Sequence, residues 1–302
     1  MSAALRRLAR ALPLGPDLLA AVEALVDPAE PYELGLALSV SQANPSGSVL
    51  VSYNPRARGT DARLRCLRAL ARLGLPLDAA RAALAWVPDT RCSTVLGLEG
   101  SGAPTAPRAT LYLEEVDRFH PPQDAARTTA RLAALAGVPT ATLGQDPGQP
   151  YIWALDLGPG GVEAFKVYRL APPQQAAAVD AALTAEVGVQ LSAPWGPALA
   201  AGAPAAGFIL QRRHRAGQPV PLKVYKTYAY DDGPQGPAIA AEVDGLLAPL
   251  DPQDLRPRMA AALAPDGPGP VTSVGLRLSP GSDRPAEVTA YWCLARGPGP
   301  AR

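Results

Sequence analysis

The sequence predicts an α+β fold: a ten-stranded antiparallel barrel built from five repeated ααββ units, with the helices outside. The first observation is a strand-like segment that ends in a tyrosine and occurs five times, at Tyr53, Tyr112, Tyr168, Tyr225 and Tyr291. The separations of 59, 56, 57 and 66 residues are each long enough for one supersecondary unit. The second observation is that helical patterns alternate with hairpin patterns, and closing ten strands into a barrel removes exposed edges.

Residues 221–230 show the strand pattern most clearly. A period of two places Lys223, Tyr225 and Thr227 on one face and Leu222 and Val224 on the other. The same pattern recurs at residues 164–168 and, in weaker form, at 50–53, 109–112 and 288–291. In a closed barrel the aliphatic face meets the helices, so we expect the lysines and tyrosines to point into a lumen wide enough for a ligand.

The first two ααββ units are predicted from helix-breaking residues and from the periodicity of the apolar residues. Residues 3–26 indicate two short helices, and alternating segments at 33–39 and 49–53 form a hairpin around a turn-rich stretch. Residues 61–73 form an amphipathic helix that ends at Gly74 and Pro76, and a second helix spans 78–87. Residues 93–99 and 108–116 then form the second hairpin.

The remaining three units repeat this order. A helix at 124–136 precedes a hairpin of 151–157 with 163–170, whose turn contains Gly158, Gly160 and Gly161, residues that readily adopt positive φ. A helix at 174–186 precedes the hairpin of 207–213 with 222–230. Helices at 237–247 and 255–263 precede the last hairpin, 272–279 with 287–294.

Composition narrows the function classes. The chain has 302 residues, enough for two small domains or one α/β barrel, and the continuous repeat favours a single domain over 1–302. The net charge of +1 gives no large basic field, so neither nucleic acid nor a membrane surface is expected as a partner. Three widely spaced cysteines and the lack of an apolar leader or membrane-spanning run favour a cytoplasmic protein.

Familiar catalytic motifs are absent from the sequence. There is no HExxH, DDxxD, Walker A, GxSxG or GxGxxG motif, and the two histidines, His120 and His214, do not have metal-ligand spacing. This argues against hydrolase and nucleotide-binding functions and predicts no metal site. The basic run around His214, formed by Arg212, Arg213 and Arg215, is interpreted as a solvated hairpin end without a functional role.

The order and spacing of these segments resemble the aromatic prenyltransferases of the ABBA class, closest in size to the cyanobactin-type peptide prenyltransferases. The resemblance rests on Lys166-Val167-Tyr168, Lys223-Val224-Tyr225, Arg277 within residues 274–279, and Glu33 on the first strand. It spans almost the whole chain and implies the ten-stranded barrel called the PT barrel. Residues Val51 and Thr110 depart from the pattern, because they stand where the family tends to supply cations; Arg108 or Arg213 could substitute.

The resemblance implies a role for each of these residues. Lys166, Lys223 and Arg277 would bind the diphosphate of an allylic donor, which carries about three negative charges. A shield of neutral rings would stabilise the allyl cation; its members would be Tyr112, Tyr168, Tyr225 and Tyr291. Glu33 would accept the proton from the nucleophile. The structural alternatives are lysines on a half-exposed sheet, tyrosines selected for β-propensity, and a solvated carboxylate at a strand entry.

The expected activity is transfer of a C5 or C10 prenyl group from its diphosphate to an electron-rich side chain of a peptide natural product. The resemblance implies a metal-independent monomer that needs no cofactor, with Mg²⁺ at most a stimulant. The short connections predict an open mouth, which favours a peptide acceptor over a free indole or phenol. A non-catalytic ligand-binding barrel and a structural interaction protein are the alternatives from other function classes.

Overall fold

The computed structural model describes residues 16–26, 32–41, 44–55, 60–87, 92–101, 107–115, 122–140, 143, 146–189, 205–215, 218–228, 236–250, 255, 257–258, 271–282 and 285–296. The strands are β1 (Tyr32–Ser41), β2 (Asn44–Pro55), β3 (Cys92–Ser101), β4 (Arg108–Glu115), β5 (Gln149–Gly158), β6 (Gly161–Ala171), β7 (Gly207–Arg215), β8 (Gln218–Thr227), β9 (Val271–Leu278) and β10 (Pro285–Arg296). The α-helices in this part of the chain are α1 (Pro16–Leu25), α2 (Thr60–Arg72), α3 (Asp78–Trp86), α4 (Pro122–Leu135), α5 (Ala176–Val187) and α6 (Gly236–Leu247).

The ten strands form one closed antiparallel barrel. Each strand pairs with its neighbours in the chain, and β1 pairs with β10 to close the ring. The predicted barrel and all five predicted hairpins are therefore confirmed. Two helices, α2 and α3, precede the second hairpin. The first of the two helices predicted within 3–26 lies outside the described residues, as does most of the helix predicted at 255–263, of which only 255, 257 and 258 are described.

The apolar core lies between the barrel and the helices. On β8, Leu222 and Val224 belong to this layer, as does Tyr228 directly after the strand, whereas Lys223 and Tyr225 line the lumen. The helices contribute buried apolar stripes with spacings of three or four residues, such as Ile239, Val243 and Leu247 on α6. The predicted alternation of β8 is thus what the structure shows, and it leaves polar side chains on the inner wall.

The first repeat is the exception to the predicted register. Val51 and Tyr53 on β2 are buried in the outer apolar layer, and the inner positions are Leu50, Ser52 and Asn54. The prediction that Val51 stands in the lumen, at a cation-binding position, is therefore wrong. Aligning Tyr53 with the tyrosines of the other repeats assigned the wrong face of β2 to the lumen. The aliphatic residues of β2 face the helices instead, because burial in the apolar layer stabilises them more.

Helix docking also uses polar contacts. The fully buried Trp153 on β5 points away from the lumen, and its indole N–H donates to Thr129 Oγ1 of α4 at 2.7 Å. Lys226 on β8, also fully buried, contacts both carboxylate oxygens of Glu242 on α6 at 2.8 and 3.1 Å. None of the described helices combines the length and the apolar character needed to cross a bilayer.

Candidate active site

Two cavities inside the barrel share one wall of tyrosines. One is lined by Lys166, Lys223 and Arg277, has a volume of about 220 Å³ and is called the cation cavity. The other is lined by Glu33, has a volume of about 180 Å³ and is called the Glu33 cavity. Tyr112, Tyr168, Tyr225 and Tyr291 line both of them. We call these four residues the tyrosine girdle. A ligand in either cavity would therefore contact the same set of rings.

The girdle forms because β4, β6, β8 and β10 each place one tyrosine on the inner wall. Successive ring centroids, in the order Tyr112, Tyr168, Tyr225 and Tyr291, are 6.1, 6.3 and 5.8 Å apart. Burial raises the pKa of Tyr291 to about 12 and raises the pKa of the other three phenols as well. The rings are therefore neutral at physiological pH and present π faces that can stabilise a cation.

Gln211 on β7 joins two members of the girdle. The Tyr225 hydroxyl donates to Gln211 Oε1 at 2.9 Å, and Gln211 Nε2 donates to the Tyr168 hydroxyl at 3.3 Å. Gly275 on β9 makes room for the Tyr225 ring, because a β-carbon at that position would clash with it. These contacts fix the orientation of the Tyr225 ring in the wall between the cavities.

The cation cavity contains the three predicted cations and three more. The basic side chains in its lining are Arg108, Lys166, Arg213, Arg215, Lys223 and Arg277, and the acidic ones are Glu99, Asp156 and Glu287. Six positive minus three negative charges leave a net charge of +3 among the described lining residues. The interpretation of the basic run at 212–215 as a solvated hairpin end is therefore wrong. Arg213 and Arg215 line this cavity, while His214 is buried and Arg212 pairs with Asp146 and Glu186.

One carboxylate joins the first pair of cations. Asp156 Oδ1 lies 2.6 Å from Lys166 Nζ, and Asp156 Oδ2 lies 2.8 Å from Arg213 Nη2. Thr110, predicted as a lost cation position, donates its hydroxyl to Asp156 Oδ1 at 2.8 Å. Burial acts to raise the pKa of Asp156, but Lys166 and Arg213 outweigh it and hold the pKa below its ordinary value.

A second carboxylate joins the other pair. Glu287 Oε1 lies 2.5 Å from Lys223 Nζ, and Glu287 Oε2 lies 2.5 Å from Arg277 Nη1. Lys223 Nζ also donates to Thr289 Oγ1 at 2.5 Å. Burial lowers the pKa of Lys223 to about 8, although Glu287 acts in the opposite direction. Lys223 Nζ is 5.3 Å from the centroid of the Tyr225 ring, so this cluster adjoins the girdle.

The Glu33 cavity lies on the other side of the girdle. Glu33 is buried on β1, opposite Asn54 of β2, and both side chains line this cavity together with Glu114 of β4. Its described lining contains these two carboxylates and no lysine, arginine or histidine. The lumen is therefore electrically divided: cations predominate on one side of the tyrosines and carboxylates on the other.

A larger outer cavity, of about 1400 Å³, adjoins the Glu33 cavity. The two share the lining residues Glu114, Ile209 and Ser273, so they are neighbours at this mouth of the barrel. Arg169 is the one cationic side chain in the described part of the outer lining, and its Nη1 donates to the carbonyl of Gly148 at 3.4 Å. The mouth can thus accommodate a molecule much larger than one that fills the Glu33 cavity.

All eight residues predicted for the site line the lumen. Sequence reasoning missed Asp156, Glu287, Gln211, Glu114 and Gly275. Asp156 lies two residues beyond Ala154, which packs with the lumenal Tyr168 and Tyr225, and Glu287 lies two before the lumenal Thr289, so a period of two could have placed both carboxylates inside. Nothing in the sequence shows that each would contact a lysine and an arginine from other strands.

No protein-family model matches the chain, and no curated protein matches it. Solved structures do match over 96% of the chain. A 5-dimethylallyl tryptophan synthase from Streptomyces coelicolor, in complex with DMASPP and Trp, has a TM-score of 0.64 at 19% identity, with 92% of its own chain covered. The prenyltransferase PriB, in a ternary complex with L-tryptophan and dimethylallyl thiolodiphosphate, has a TM-score of 0.63 at 17% identity and 94% coverage.

These matches show that the chain has the fold of aromatic prenyltransferases. A 6-dimethylallyl tryptophan synthase matches equally well, with a TM-score of 0.64 at 17% identity and 94% of its chain covered. The predicted fold is therefore confirmed. The predicted closeness in size to the cyanobactin-type enzymes is not confirmed. The matching structures named above are two dimethylallyl tryptophan synthases and PriB, and 92–94% of each of these chains is covered.

Proposed function

We propose that this protein transfers a C5 or C10 prenyl group from its diphosphate to an electron-rich side chain of a peptide natural product. The observation that carries the proposal is the division of the lumen into a cation cavity of net charge +3, a girdle of four tyrosines and a carboxylate cavity. The charge matches the roughly three negative charges of an allylic diphosphate, and lysine and arginine make strong charge-assisted hydrogen bonds to phosphate oxygens.

The geometry supports a stepwise order of events. The diphosphate binds among Lys166, Lys223 and Arg277, and the allyl group extends toward the girdle. When the allylic C–O bond breaks, its electron pair leaves with the diphosphate, and the remaining carbocation is stabilised by the neutral tyrosine faces. The acceptor attacks from the Glu33 cavity, a new bond to the allyl carbon forms, and the Glu33 carboxylate accepts the proton that the acceptor loses.

The size of the outer cavity and the charge of the Glu33 cavity favour one class of acceptor. The outer cavity of about 1400 Å³ leaves room for a peptide backbone beside the side chain that reaches the girdle. A free amino acid would also bring an α-carboxylate, and the described lining of the Glu33 cavity holds carboxylates but no cation to pair with it. A residue inside a peptide lacks that charge. Both considerations favour the peptide.

The activity is tested by incubating the protein with dimethylallyl or geranyl diphosphate and a panel of peptides, indoles and phenols. Mass spectrometry should detect one prenyl group added to an acceptor, and turnover should persist in EDTA if catalysis needs no metal.

Lys223→Ala should weaken donor binding about 10- to 100-fold through loss of a charge-assisted contact. Arg81→Ala, on the exposed face of α3, is the matched control. Absence of both product and donor binding would refute the proposal.

Glu33 is tested separately. Glu33→Gln should leave donor binding nearly unchanged and slow the transfer step about 10²- to 10⁴-fold, because the amide cannot accept the proton. Unchanged turnover would remove Glu33 from the mechanism.

The acceptor class is decided by comparing kcat/KM for a peptide blocked at both ends with that of the matching free amino acid, using the same donor. A preference of tenfold or more for the free amino acid, or for a small phenol, would favour the alternative activity on free aromatic molecules. Tryptophan bound in the similar structures makes this the leading alternative. Donor binding without transfer to any acceptor would favour a ligand-binding barrel.

A further inference from the structure

The cation cavity contains two like-charged pairs in direct cross-strand register. Lys166 of β6 lies opposite Arg213 of β7, and Lys223 of β8 lies opposite Arg277 of β9. Like charges that face each other directly across two strands repel, and the repulsion increases when the side chains are partly removed from water. The side chains of Lys166 and Lys223 are 12% and 5% exposed.

Each pair is joined by one carboxylate that comes from a third strand, and this carboxylate is buried in the first pair and half-buried in the second. Asp156 of β5 contacts Lys166 and Arg213, and Glu287 of β10 contacts Lys223 and Arg277, at 2.5 to 2.8 Å. Each carboxylate also accepts a hydroxyl hydrogen bond, from Thr110 at 2.8 Å and from Ser39 at 3.1 Å. The two clusters are therefore alike in composition and connectivity, although they lie on different strands.

An anion site does not need carboxylates for attraction, since both reduce its positive charge. A diphosphate oxygen approaching Lys166 or Lys223 must compete with the carboxylate oxygen already in contact with that ammonium group. We propose that Asp156 and Glu287 are resident counter-ions, which the diphosphate partly displaces from the four cations and which promote the release of the diphosphate product. This inference rests on the proposed function, because it assigns two further residues to the same binding site.

The arrangement has a physical rationale for turnover. Before the donor binds, the carboxylates balance the repulsion within each pair and keep the cations in place. After the allyl group has been transferred, free diphosphate remains in a site rich in positive charge, and it would leave slowly without competition. The carboxylates reoccupy their contacts as the product leaves, which lowers the free-energy cost of separating the charges.

The test measures binding of inorganic diphosphate by calorimetry to the wild type, Asp156→Asn and Glu287→Gln. Both substitutions preserve the shape of the side chain and remove one negative charge, and each replaces one acceptor oxygen by an amide NH2 group that cannot accept a hydrogen bond from a lysine or an arginine. We expect the dissociation constant to fall about tenfold or more in each variant, because one competing charge-assisted contact is gone. Glu23→Gln, on the exposed face of α1, changes the net charge equally and should have no effect.

Thermal unfolding supplies an independent readout. Without ligand, each variant should unfold at a lower temperature than the wild type, because one cation pair has lost its counter-ion. Added diphosphate should restore the pair and raise the unfolding temperature by more than it does in the wild type. The two variants lie in separate clusters, so one of them tests the proposal if the other does not fold.

The outcomes separate the inference from the proposed function. If the wild type binds diphosphate and the variants bind it equally or more weakly, the carboxylates only hold the structure together and the inference fails. If neither the wild type nor any variant binds diphosphate, the proposed function fails as well. Tighter binding by the variants, together with stronger inhibition of turnover by added diphosphate, supports the inference.

Discussion

At the scale of single residues, the face of the barrel on which a side chain lies decides what it can do. Lys223 and Lys226 are three residues apart on β8, and both are buried. Lys223 points into the lumen and joins the cation cavity, whereas Lys226 points outward and pairs with Glu242 of a helix. An odd separation on a strand places two identical side chains on opposite faces, so one lysine serves ligand binding and the other serves packing.

The perturbed ammonium of Lys223 predicts a pH dependence. Burial lowers its pKa to about 8, so the group carries its charge below that pH and loses it as the pH rises through that value. The dissociation constant for diphosphate should therefore increase above pH 8, as measured by calorimetry from pH 6.5 to 9.5. Lys223→Arg should abolish this transition, because arginine stays protonated across the range. An identical pH profile in the variant would show that another group is responsible.

Gly275 predicts a steric effect on the girdle. Gly275 lies opposite Tyr225 in the β8–β9 pair, and the methyl group of Gly275→Ala would meet the Tyr225 ring. The ring must move, which disturbs the wall between the two cavities, so we expect slower transfer with a smaller change in donor binding. Gly160→Ala, at a turn where a β-carbon would meet nothing within 4 Å, is the control. Wild-type turnover in Gly275→Ala would show that the ring position is unimportant.

At the scale of secondary structure elements, the helices are attached to the barrel by apolar stripes and a few buried polar contacts. Helix α6 packs Ile239, Val243 and Leu247 against the strands and adds the Lys226–Glu242 ion pair. The ammonium of Lys226 also lies 5.5 Å from the centroid of the Tyr228 ring. The pair defines the position of α6 along β8 more narrowly than the apolar contacts alone, since a buried charge must meet its partner.

Because Lys226 and Glu242 form this ion pair, we expect the effects of substituting them on the free energy of unfolding to be strongly non-additive. Lys226→Met leaves Glu242 without its buried partner and should reduce the free energy of unfolding by about 3–5 kcal/mol. Lys226→Met combined with Glu242→Leu should recover most of that loss, because two apolar side chains replace both charges. Chemical denaturation measures both values.

The exposed Arg108–Glu163 pair, 3.4 Å apart, serves as the comparison. Glu163→Gln should cost less than about 1 kcal/mol, since water screens this pair. Equal losses for the single and the double substitution on β8 and α6 would contradict the explanation.

At the scale of the whole molecule, closure of the barrel completes the candidate site. Ser39 on β1 and Glu287 on β10 are 248 positions apart in the chain, yet their side chains form a hydrogen bond of 3.1 Å across the closing strand pair. The four cations joined by carboxylates come from β6, β7, β8 and β9, and the carboxylates come from β5 and β10. An anion bound by these cations would connect four consecutive strands, β6 to β9.

This connection predicts where the ligand stabilises the fold. Inorganic diphosphate should slow amide hydrogen exchange in β6 to β9, because it must dissociate before those strands can separate. Helix α2, which packs against β3, and helix α3, which packs on α2 and α4, should change little. The effect should be larger than that of the same concentration of monophosphate, which can bridge fewer cations. Uniform protection of all helices and strands would instead indicate general stabilisation of the molecule.

The sequence by itself determined the number of strands, their hairpin pairing, the helical layer and the inward orientation of Lys166, Tyr168, Lys223 and Tyr225. These features follow from local periodicity, because a strand alternates its faces every residue and each repeat carries its own helix and turn signals. Only the tertiary structure decided which face of β2 looks inward, since the burial of Val51 and Tyr53 against the helices outweighs their match to the repeat. The pairing of the cations with Asp156 and Glu287 was likewise decided by the tertiary structure, because contacts between side chains of different strands depend on the stagger and closure of the barrel, which no local pattern encodes.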